Sequence, residues 1–288
     1  MHAPTPRPAP LVMGIVNVTP DSFSDGGRWA DPAAAVEQAR RLVAQGARIV
    51  DVGGESTRPG SARVDEAEEL RRVLPVVEAL VAEGVTISVD TTRAAVAAET
   101  VAAGAGIVND VSGGLADPEM LPVVARTEAD LVLMHWRGHS EDMYAEARYE
   151  DVTAEVLAEL TERVTAAEEA GIPRERIVLD PGFGFAKRPE HSWELLAGLE
   201  RFVRGADLLG CRTLVGTSRK GFLGQVRAGL VPVGGADEPA PAPERDAATA
   251  ATSLLSAQAG AWAVRVHAVT PTVDALGVHA RMRPWQEG

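Results

Sequence analysis

The first stretch that indicates a fold reads Leu11-Val12-Met13-Gly14-Ile15-Val16-Asn17 and runs into the loop Val18-Thr19-Pro20-Asp21-Ser22-Phe23. Its apolar residues follow one another without alternation, which is typical of a strand covered on both faces of a parallel sheet. Beyond the loop, Asp31 is a good helix N-cap and Pro32 suits the first helical position. Gly46 then supplies a stop, so a helix is predicted over Pro32–Gln45.

This strand-then-helix unit recurs along the chain. Strands are predicted at Leu11–Val16, Ile49–Val52, Thr86–Val89, Ile107–Val108, Leu131–Met134, Ile177–Leu179, Thr213–Val215 and Trp262–Val266. The clearest helix patterns between them cover Pro32–Gln45, Asp65–Glu83, Arg93–Ala103 and Val152–Ala170. Eight strands with intervening helices predict an α/β protein with a single-domain (β/α)₈ TIM barrel. A doubly wound open sheet is the structural alternative.

The predicted barrel domain covers residues 11–288. Residues 1–10 are rich in proline and are expected to form a flexible N-terminal segment. Residues 231–244 are rich in Pro, Gly and Ala and are interpreted as a surface loop inserted in the same domain. A domain boundary there would leave a single strand and helix alone.

Composition excludes several classes of partner. The chain has 288 residues and a net charge of −13, which argues against a general binder of nucleic acid or anionic membranes. A lone cysteine, Cys211, cannot form an intrachain disulfide and fits a reducing compartment. Neither a signal peptide nor an apolar run of spanning length is evident, so a cytoplasmic protein is expected.

Every predicted strand delivers at least one polar side chain, of a type that proteins use in binding or catalysis, to its carboxyl end. Because the carboxyl ends of barrel strands meet at one face, these side chains predict a single site there. A lone Asp or Asn at such a turn is as readily a cap, but capping does not account for all eight strands. The residues are Asn17, Asp51, Asp90, Asn109 with Asp110, His135, Asp180, Ser218 to Lys220, and Arg265 with His267.

Residue types at these strand ends indicate two kinds of ligand group. Oxygens of Asp90, Asn109 and Asp180 suit a planar heterocycle rich in N–H donors, such as a 2-amino-4-oxo pteridine or guanine. His135, by contrast, is interpreted as a core histidine.

Cationic side chains on the same rim indicate a phosphate group. Arg58, Arg265 and His267 offer donors for phosphate oxygens, and Arg can bind them through two hydrogen bonds. Lys220 lies near a predicted helix start, where backbone N–H groups also favour an anion. The sequence has neither a Gly-x-x-x-x-Gly-Lys phosphate loop nor a dinucleotide-binding glycine motif after the first strand.

Taken in order, these strand-end motifs resemble those of the dihydropteroate synthase family over residues 11–280. The first two are long enough that a chance match is negligible. The motifs are Met13–Gly27, Asp51–Gly60, Ser88–Thr91, Asn109–Gly114, Leu133–His135, Asp180–Phe185, Gly216–Lys220 and Arg265–His267.

The resemblance implies a transferase of folate biosynthesis. Family members condense 6-hydroxymethyl-7,8-dihydropterin diphosphate with 4-aminobenzoate to give 7,8-dihydropteroate and diphosphate. It also implies Mg²⁺ as cofactor, small-molecule substrates, a homodimer, and competition by sulfonamides with 4-aminobenzoate. The catalytic residues it implies are Asn17, Arg58, Asp90 and Lys220.

The resemblance further assigns the rim residues to three zones. Loops 18–28 and 56–63 are expected to be mobile without ligand and to close over these zones. The pterin would be bound by Asp90, Asn109, Asp180, Lys220, Met134 and Phe185; the diphosphate by Asn17, Thr57, Arg58, Arg265 and His267, with Asn17 also holding the metal; and 4-aminobenzoate by Phe23, Pro59, Ser218, Lys220 and Gly221.

Two positions depart from the family pattern. Ala268 follows His267 where relatives carry an Asp that can orient the histidine. Gly221 follows Lys220 where some relatives carry a Ser that contacts the aminobenzoate carboxylate. The alternatives from other classes are a corrinoid-linked pterin methyltransferase module, which needs no anion site, and a non-catalytic paralogue, which would be expected to lose the diphosphate and aminobenzoate residues.

Overall fold

Eight parallel strands close into a barrel in chain order, and the eighth strand pairs with the first. The computed structural model describes residues 9–19, 31–55, 64–138, 147–226 and 239–286. The predicted single-domain (β/α)₈ barrel is confirmed. The predicted flexible segment 1–10 lies mostly outside the described residues, as does most of the predicted loop 231–244.

The strand bounds agree with the predicted ones to within two residues. All eight strands are short. Three of them are buried along their whole length, and the other five are buried at all but one or two positions, which fits their continuous apolar character. They are β1 (Leu11–Asn17), β2 (Ile49–Gly53), β3 (Thr86–Asp90), β4 (Ile107–Asp110), β5 (Asp130–Met134), β6 (Ile177–Asp180), β7 (Arg212–Val215) and β8 (Ala263–Val266).

Nine α-helices are described. Between β6 and β7 the chain forms two helices in succession, which meet at Gly198. The helices are α1 (Pro32–Ala44), α2 (Glu66–Ala82), α3 (Ala94–Ala102), α4 (Met120–Ala125), α5 (Val152–Ala170), α6 (Pro189–Ala197), α7 (Leu199–Leu208), α8 (Asp246–Ala259) and α9 (Val269–Gln286).

Helix ends carry the side chains and glycines that favour capping, and Asp31 is the N-cap of α1 as predicted. The Asp31 carboxylate accepts a hydrogen bond of 2.9 Å from the backbone N–H of Ala33 at the start of α1. The Asp65 carboxylate accepts one of 2.8 Å from Glu68 at the start of α2. Such caps satisfy backbone donors that a helix leaves unpaired. Gly171 ends α5 in the left-handed conformation, as a glycine C-cap does.

Apolar residues form two clusters separated by the barrel wall. The larger cluster fills the layer between strands and helices. The smaller one lies inside the barrel, so the barrel is a packed core rather than a pore. Its buried members are Met13, Ile49, Ile107, Val132, Val178, Leu214 and Ala263.

The strand register sets up the carboxyl-terminal rim. Asn17 is the register partner of Gly53, Gly53 of Asp90, and Asp90 of Asn109. Four neighbouring strands therefore end side by side in one row. Among the described residues, no helix has the length and apolar character needed to cross a membrane.

Candidate active site

The row of strand ends has a gap between two polar side chains. Gly53 sits between Asn17 and Asp90 and has no side chain of its own. A Cβ placed on Gly53 would lie 3.7 Å from Oδ1 of Asn17 and 3.4 Å from Cβ of Asp90. The glycine therefore leaves room for a ligand to reach both polar groups.

Arg265 on β8 links two buried carboxylates across the barrel. Its Nε donates to Oδ2 of Asp51 over 2.6 Å, and its Nη2 donates to Oδ2 of Asp90 over 2.6 Å. Asn109 donates from Nδ2 to the same Asp51 oxygen over 3.2 Å. Asp51 thus orients both the arginine and the amide. The sequence alone did not distinguish a carboxylate of the site from a turn cap at this position.

Burial dominates the electrostatics of this cluster. It raises the pKa of Asp90, against the opposing effect of the Arg265 guanidinium and with the help of Asp51. Burial alone would lower the pKa of Arg265, but the two carboxylates raise it, so the arginine stays charged. The rim therefore holds a charged arginine between two carboxyl groups that are shielded from water.

A second cluster comes from the ends of β6 and β7. The Asp180 carboxylate accepts a hydrogen bond of 2.8 Å from the N–H of Gly182. A Cβ on Gly216 would lie 3.3 Å from Oδ2 of Asp180, so that glycine leaves the carboxylate accessible. Burial raises the pKa of Asp180, opposed by the Gly182 hydrogen bond and by Lys220.

Lys220 packs over an aromatic ring at this end of the barrel. Its Nζ lies 3.9 Å from the centroid of the Phe185 ring, a cation–π contact. Burial, helped by the charge of Arg265, lowers the pKa of Lys220 to about 8. The predicted pterin residues Asp180, Phe185 and Lys220 are therefore brought together.

Ser218 contacts His267 twice. The Ser218 hydroxyl accepts a hydrogen bond of 3.1 Å from the backbone N–H of His267 and lies 2.9 Å from its ring Nδ1. Because that hydroxyl already accepts one hydrogen bond, its own proton can be donated to Nδ1. The serine thus orients the His267 ring from a neighbouring strand end.

The neighbouring Arg219 forms an ion pair outside the site. Its guanidinium forms a two-pronged ion pair of 2.7 and 2.8 Å with Asp246 at the start of α8. Its backbone is left-handed, with φ of 58°. This side chain fixes the turn after β7.

Asp110 is a turn cap, as the alternative interpretation of the strand ends allowed. Its carboxylate accepts hydrogen bonds of 2.8 and 2.7 Å from the backbone N–H groups of Ser112 and Gly114. Its neighbour Asn109 belongs to the rim cluster, so two adjacent residues serve different purposes.

The interpretation of His135 as a core histidine agrees with its burial, and its ring also contacts a lysine. His135 is buried, but it lies 2.9 Å from Nζ of Lys187, a residue absent from the predicted site. Lys187 is itself buried and contacts the loop that follows β6. One signal in the sequence could have found it, because Lys187 and Lys220 are the only two lysines in the chain.

Four of the predicted site residues, namely Phe23, Thr57, Arg58 and Pro59, lie outside the described residues. The same holds for most of loop 18–28 and loop 56–63, whose predicted mobility stays a prediction.

Oxygen donors at the row of strand ends fit a hard cation. Asn17 offers an amide oxygen, which faces the space above Gly53. No cluster of three or more His, Cys, Asp or Glu suited to a metal is found within the described ranges. Such a sparse oxygen set is what Mg²⁺ uses when waters and substrate phosphates complete its shell.

A closed parallel barrel whose carboxyl rim carries buried carboxylates, an arginine and a lysine defines a TIM-barrel enzyme with a site for a polar ring and an anion. The family described as pterin binding enzyme matches residues 13–267. The chain therefore belongs to the pterin-binding enzymes and, within them, to the dihydropteroate synthase family.

Named relatives place the chain within that family. The dihydropteroate synthase of Mycobacterium leprae is 52% identical over 93% of this chain and 91% of its own. A structure of the Xanthomonas albilineans enzyme with 4-aminobenzoic acid shares 46% identity, covers 95% of this chain and 93% of its own, and has a TM-score of 0.83. The Xanthomonas albilineans complex with 7,8-dihydropteroate shares 44% identity, covers 95% and 94%, and has a TM-score of 0.80.

Proposed function

We propose that this chain is a transferase that condenses 6-hydroxymethyl-7,8-dihydropterin diphosphate with 4-aminobenzoate. The products are 7,8-dihydropteroate and diphosphate. The observation that carries the proposal is the joining of Asp90, Asn109, Asp180 and Lys220 at one rim beside the Arg265 guanidinium. Relatives with bound 4-aminobenzoic acid and 7,8-dihydropteroate support both the acceptor and the product.

The pterin ring is assigned to the floor of the rim. Buried carboxylates at Asp90 and Asp180 and the Asn109 amide offer acceptors for the N–H groups of the ring. Met134 is buried at the end of β5 and supplies apolar contact. Lys220 and the remaining floor residue, Phe185, close the side nearest β7.

The diphosphate is assigned to Asn17, Arg265 and His267, together with Thr57 and Arg58. Arg265 already pairs with two carboxylates, so a phosphate must compete with them for its N–H groups. A proton on Nε2 of His267 follows from the Ser218 contact with Nδ1 and would face an anion as a donor.

The aminobenzoate pocket is assigned to Phe23, Pro59, Ser218, Lys220 and Gly221. This assignment rests on the family resemblance. A cation at Lys220 is the natural partner for the aminobenzoate carboxylate.

The chemistry requires little proton transfer. The C–O bond between the pterin methylene and the diphosphate breaks, and its electron pair leaves with the diphosphate. The lone pair of the aniline nitrogen forms the new C–N bond, and that nitrogen then loses a proton to solvent. Asp90 can offset the positive charge that develops on the ring, because it is buried at the rim.

Mg²⁺ is proposed as the cofactor, held by Asn17 together with the diphosphate. When bound it would supply electrostatic stabilisation of the phosphate charge. Its fit rests on the oxygen donor of Asn17 beside the opening at Gly53.

Domain bounds, assembly and location complete the proposal. We assign residues 11–288 to one catalytic domain, with 231–244 as its surface loop and 1–10 outside it. A homodimer follows from the family, and a cytoplasmic location follows from the lone cysteine and the phosphorylated substrate. Light scattering coupled to gel filtration tests the dimer.

A coupled assay for diphosphate release, run with both substrates and Mg²⁺, tests the reaction. Chromatography must show 7,8-dihydropteroate in equal amount. Diphosphate without dihydropteroate would show that the acceptor is wrong. Loss of the methyl group from a methylated pterin without diphosphate chemistry would instead favour a corrinoid-linked methyltransferase module. Pterin binding without any turnover would favour the non-catalytic paralogue.

A further inference from the structure

A buried ammonium group lies behind the loop that follows β6. Nζ of Lys187 is 3.2 Å from the carbonyl oxygen of Gly182, 3.2 Å from that of Phe185, and 2.9 Å from Nδ1 of His135. An ammonium has three N–H donors, and here three acceptors surround it. The lysine is 1% exposed, so this arrangement replaces its hydration shell.

Lysine is rare in this chain, and its two occurrences are informative. Of 28 lysines and arginines, only Lys187 and Lys220 are lysines, and both pack at the carboxyl rim. A guanidinium is a planar fork that stays charged, whereas an ammonium is a compact donor in three directions. Three acceptors around a single nitrogen match the ammonium.

A chain of hydrogen bonds leads from Lys187 to the protein surface. Since Lys187 donates to Nδ1 of His135, the ring carries its proton on Nε2 and donates to Oε2 of Glu159 over 2.9 Å. Burial, together with the charge of Lys187, lowers the pKa of His135 to about 4, so the ring is neutral. Burial opposes ionisation of Glu159, but hydrogen bonds from His135 and Arg137 lower its pKa to about 2.

The loop that follows β6, which this series of hydrogen bonds supports, has an unusual backbone. Gly182, Gly184 and Ala186 are all left-handed, with φ of 69°, 72° and 47°. Alanine enters that region at a cost, so the loop needs external support. Lys187 binds two of its carbonyl groups, and the Tyr149 hydroxyl donates to a third, that of Ala186, over 2.9 Å.

We propose that Lys187 is a positioning residue for the pterin, oriented by His135 and Glu159, and that it holds the loop that presents Asp180 and Phe185. The proposal rests on the pterin-binding function proposed above. Lys187 touches carbonyl groups of this loop and the His135 ring, and it acts on the substrate through Asp180 and Phe185.

The charge of Lys187 depends on groups from several elements. Burial lowers its pKa to about 7; Asp180 of β6 and Glu159 of α5 raise it, while Arg137 after β5 and Lys220 after β7 lower it. The ammonium is therefore present below this pKa and is lost as the pH rises through it. Removing the negative charge of Glu159 should lower the pKa of Lys187 further.

The test compares Lys187→Met, Glu159→Gln and the control Glu162→Gln. Glu159 and Glu162 both lie on α5. Glutamine at 159 can still accept the His135 hydrogen bond, while the negative charge and its ion pair with Arg137 are lost. Lys187→Met should raise KM for the pterin diphosphate about 10- to 100-fold and leave KM for 4-aminobenzoate within about threefold. Glu159→Gln should shift the alkaline limb of the pterin KM profile about half a pH unit lower, and Glu162→Gln should not shift it.

Selective labelling makes the titration visible. With only two lysines, protein grown on lysine labelled with ¹⁵N at Nζ gives one nitrogen resonance per lysine, and Lys187→Met assigns them. Should Lys187→Met fail to fold, Glu159→Gln, with its half-exposed side chain, still decides the matter. An unchanged Lys187 resonance and an unchanged pterin profile in Glu159→Gln would overturn the proposal. If the wild-type chain makes no dihydropteroate, the proposed function fails instead.

Discussion

The guanidinium of Arg265 donates from Nη2 to Oδ2 of Asp90 over 2.6 Å, joining β8 to β3 across the mouth of the barrel. Arg265 also serves Asp51, so one cation is shared by two buried carboxylates. A buried ion pair of this kind offers little net stability, because desolvation offsets the attraction between the charges. In the proposed function, the pair instead holds Arg265 in place for the anionic diphosphate and Asp90 in place for the N–H groups of the pterin.

The first prediction removes one charge from this arrangement. Asp90→Asn should lower kcat/KM by about 100-fold or more, since the variant loses both a pterin acceptor and the charge that offsets a positive ring. Steady-state kinetics with both substrates measures this. Asp130→Asn is the matched control, because Asp130 pairs with Arg212 at 2.7 Å where β5 and β7 begin, at the opposite end of the barrel. Similar losses in both variants would point to general destabilisation.

The second prediction concerns pH. Burial lowers the pKa of Lys220 to about 8, so its positive charge is complete below that value and is lost as the pH rises through it. KM for 4-aminobenzoate, an anion, should therefore increase on the alkaline side. Lys220→Met should show a high KM that no longer varies across this limb, and Lys220→Arg should move the limb to higher pH. KM measured from about pH 6 to about pH 10 decides this. A limb that persists in Lys220→Met would assign the titration to another group.

Much of the fold was accessible from the sequence because the strands carry local signals. Each buried strand is a continuous apolar run, and caps such as Asp31 bond their own helix within a few residues. Contacts of long sequence separation carry no such signal. The pairing of Arg265 with Asp51, and of Arg219 with Asp246, depends on side-chain direction at the rim rather than on sequence pattern.

The candidate site divides in the same way. Asp90, Asn109 and Asp180 could be predicted because they end strands that converge. The strand ends do not indicate Lys187, because it lies seven residues beyond the end of β6 and reaches back to His135 from the far side of a loop. Asp110 shows that position at a strand end can also mislead. It ends β4 beside the site residue Asn109, yet its carboxylate caps its own turn.

A third prediction tests the contact between Ser218 and His267. Ser218→Ala removes the hydroxyl that lies 2.9 Å from Nδ1 and frees the ring to change tautomer or turn. KM for the pterin diphosphate should rise about 10-fold, in keeping with the loss of an oriented donor to an anion. Ala268→Asp, which introduces the carboxylate expected from the family pattern, should recover part of that loss when added to Ser218→Ala. Equal KM values for Ser218→Ala and the wild type would show that the hydroxyl does not orient the histidine.

The fourth prediction restores a family feature at Gly221. A Cβ at this position would meet no atom within 4 Å, and its backbone is not left-handed, so a serine fits without strain. The added hydroxyl stands next to Lys220, where the aminobenzoate carboxylate is assigned. Gly221→Ser should therefore lower KM for 4-aminobenzoate about threefold to tenfold, the net value of one added hydrogen bond of ordinary strength. Gly221→Ala is the control, because it adds the same Cβ without a donor. If both variants change KM equally, the carboxylate of 4-aminobenzoate does not lie beside residue 221, and the pocket must be sought elsewhere on the rim.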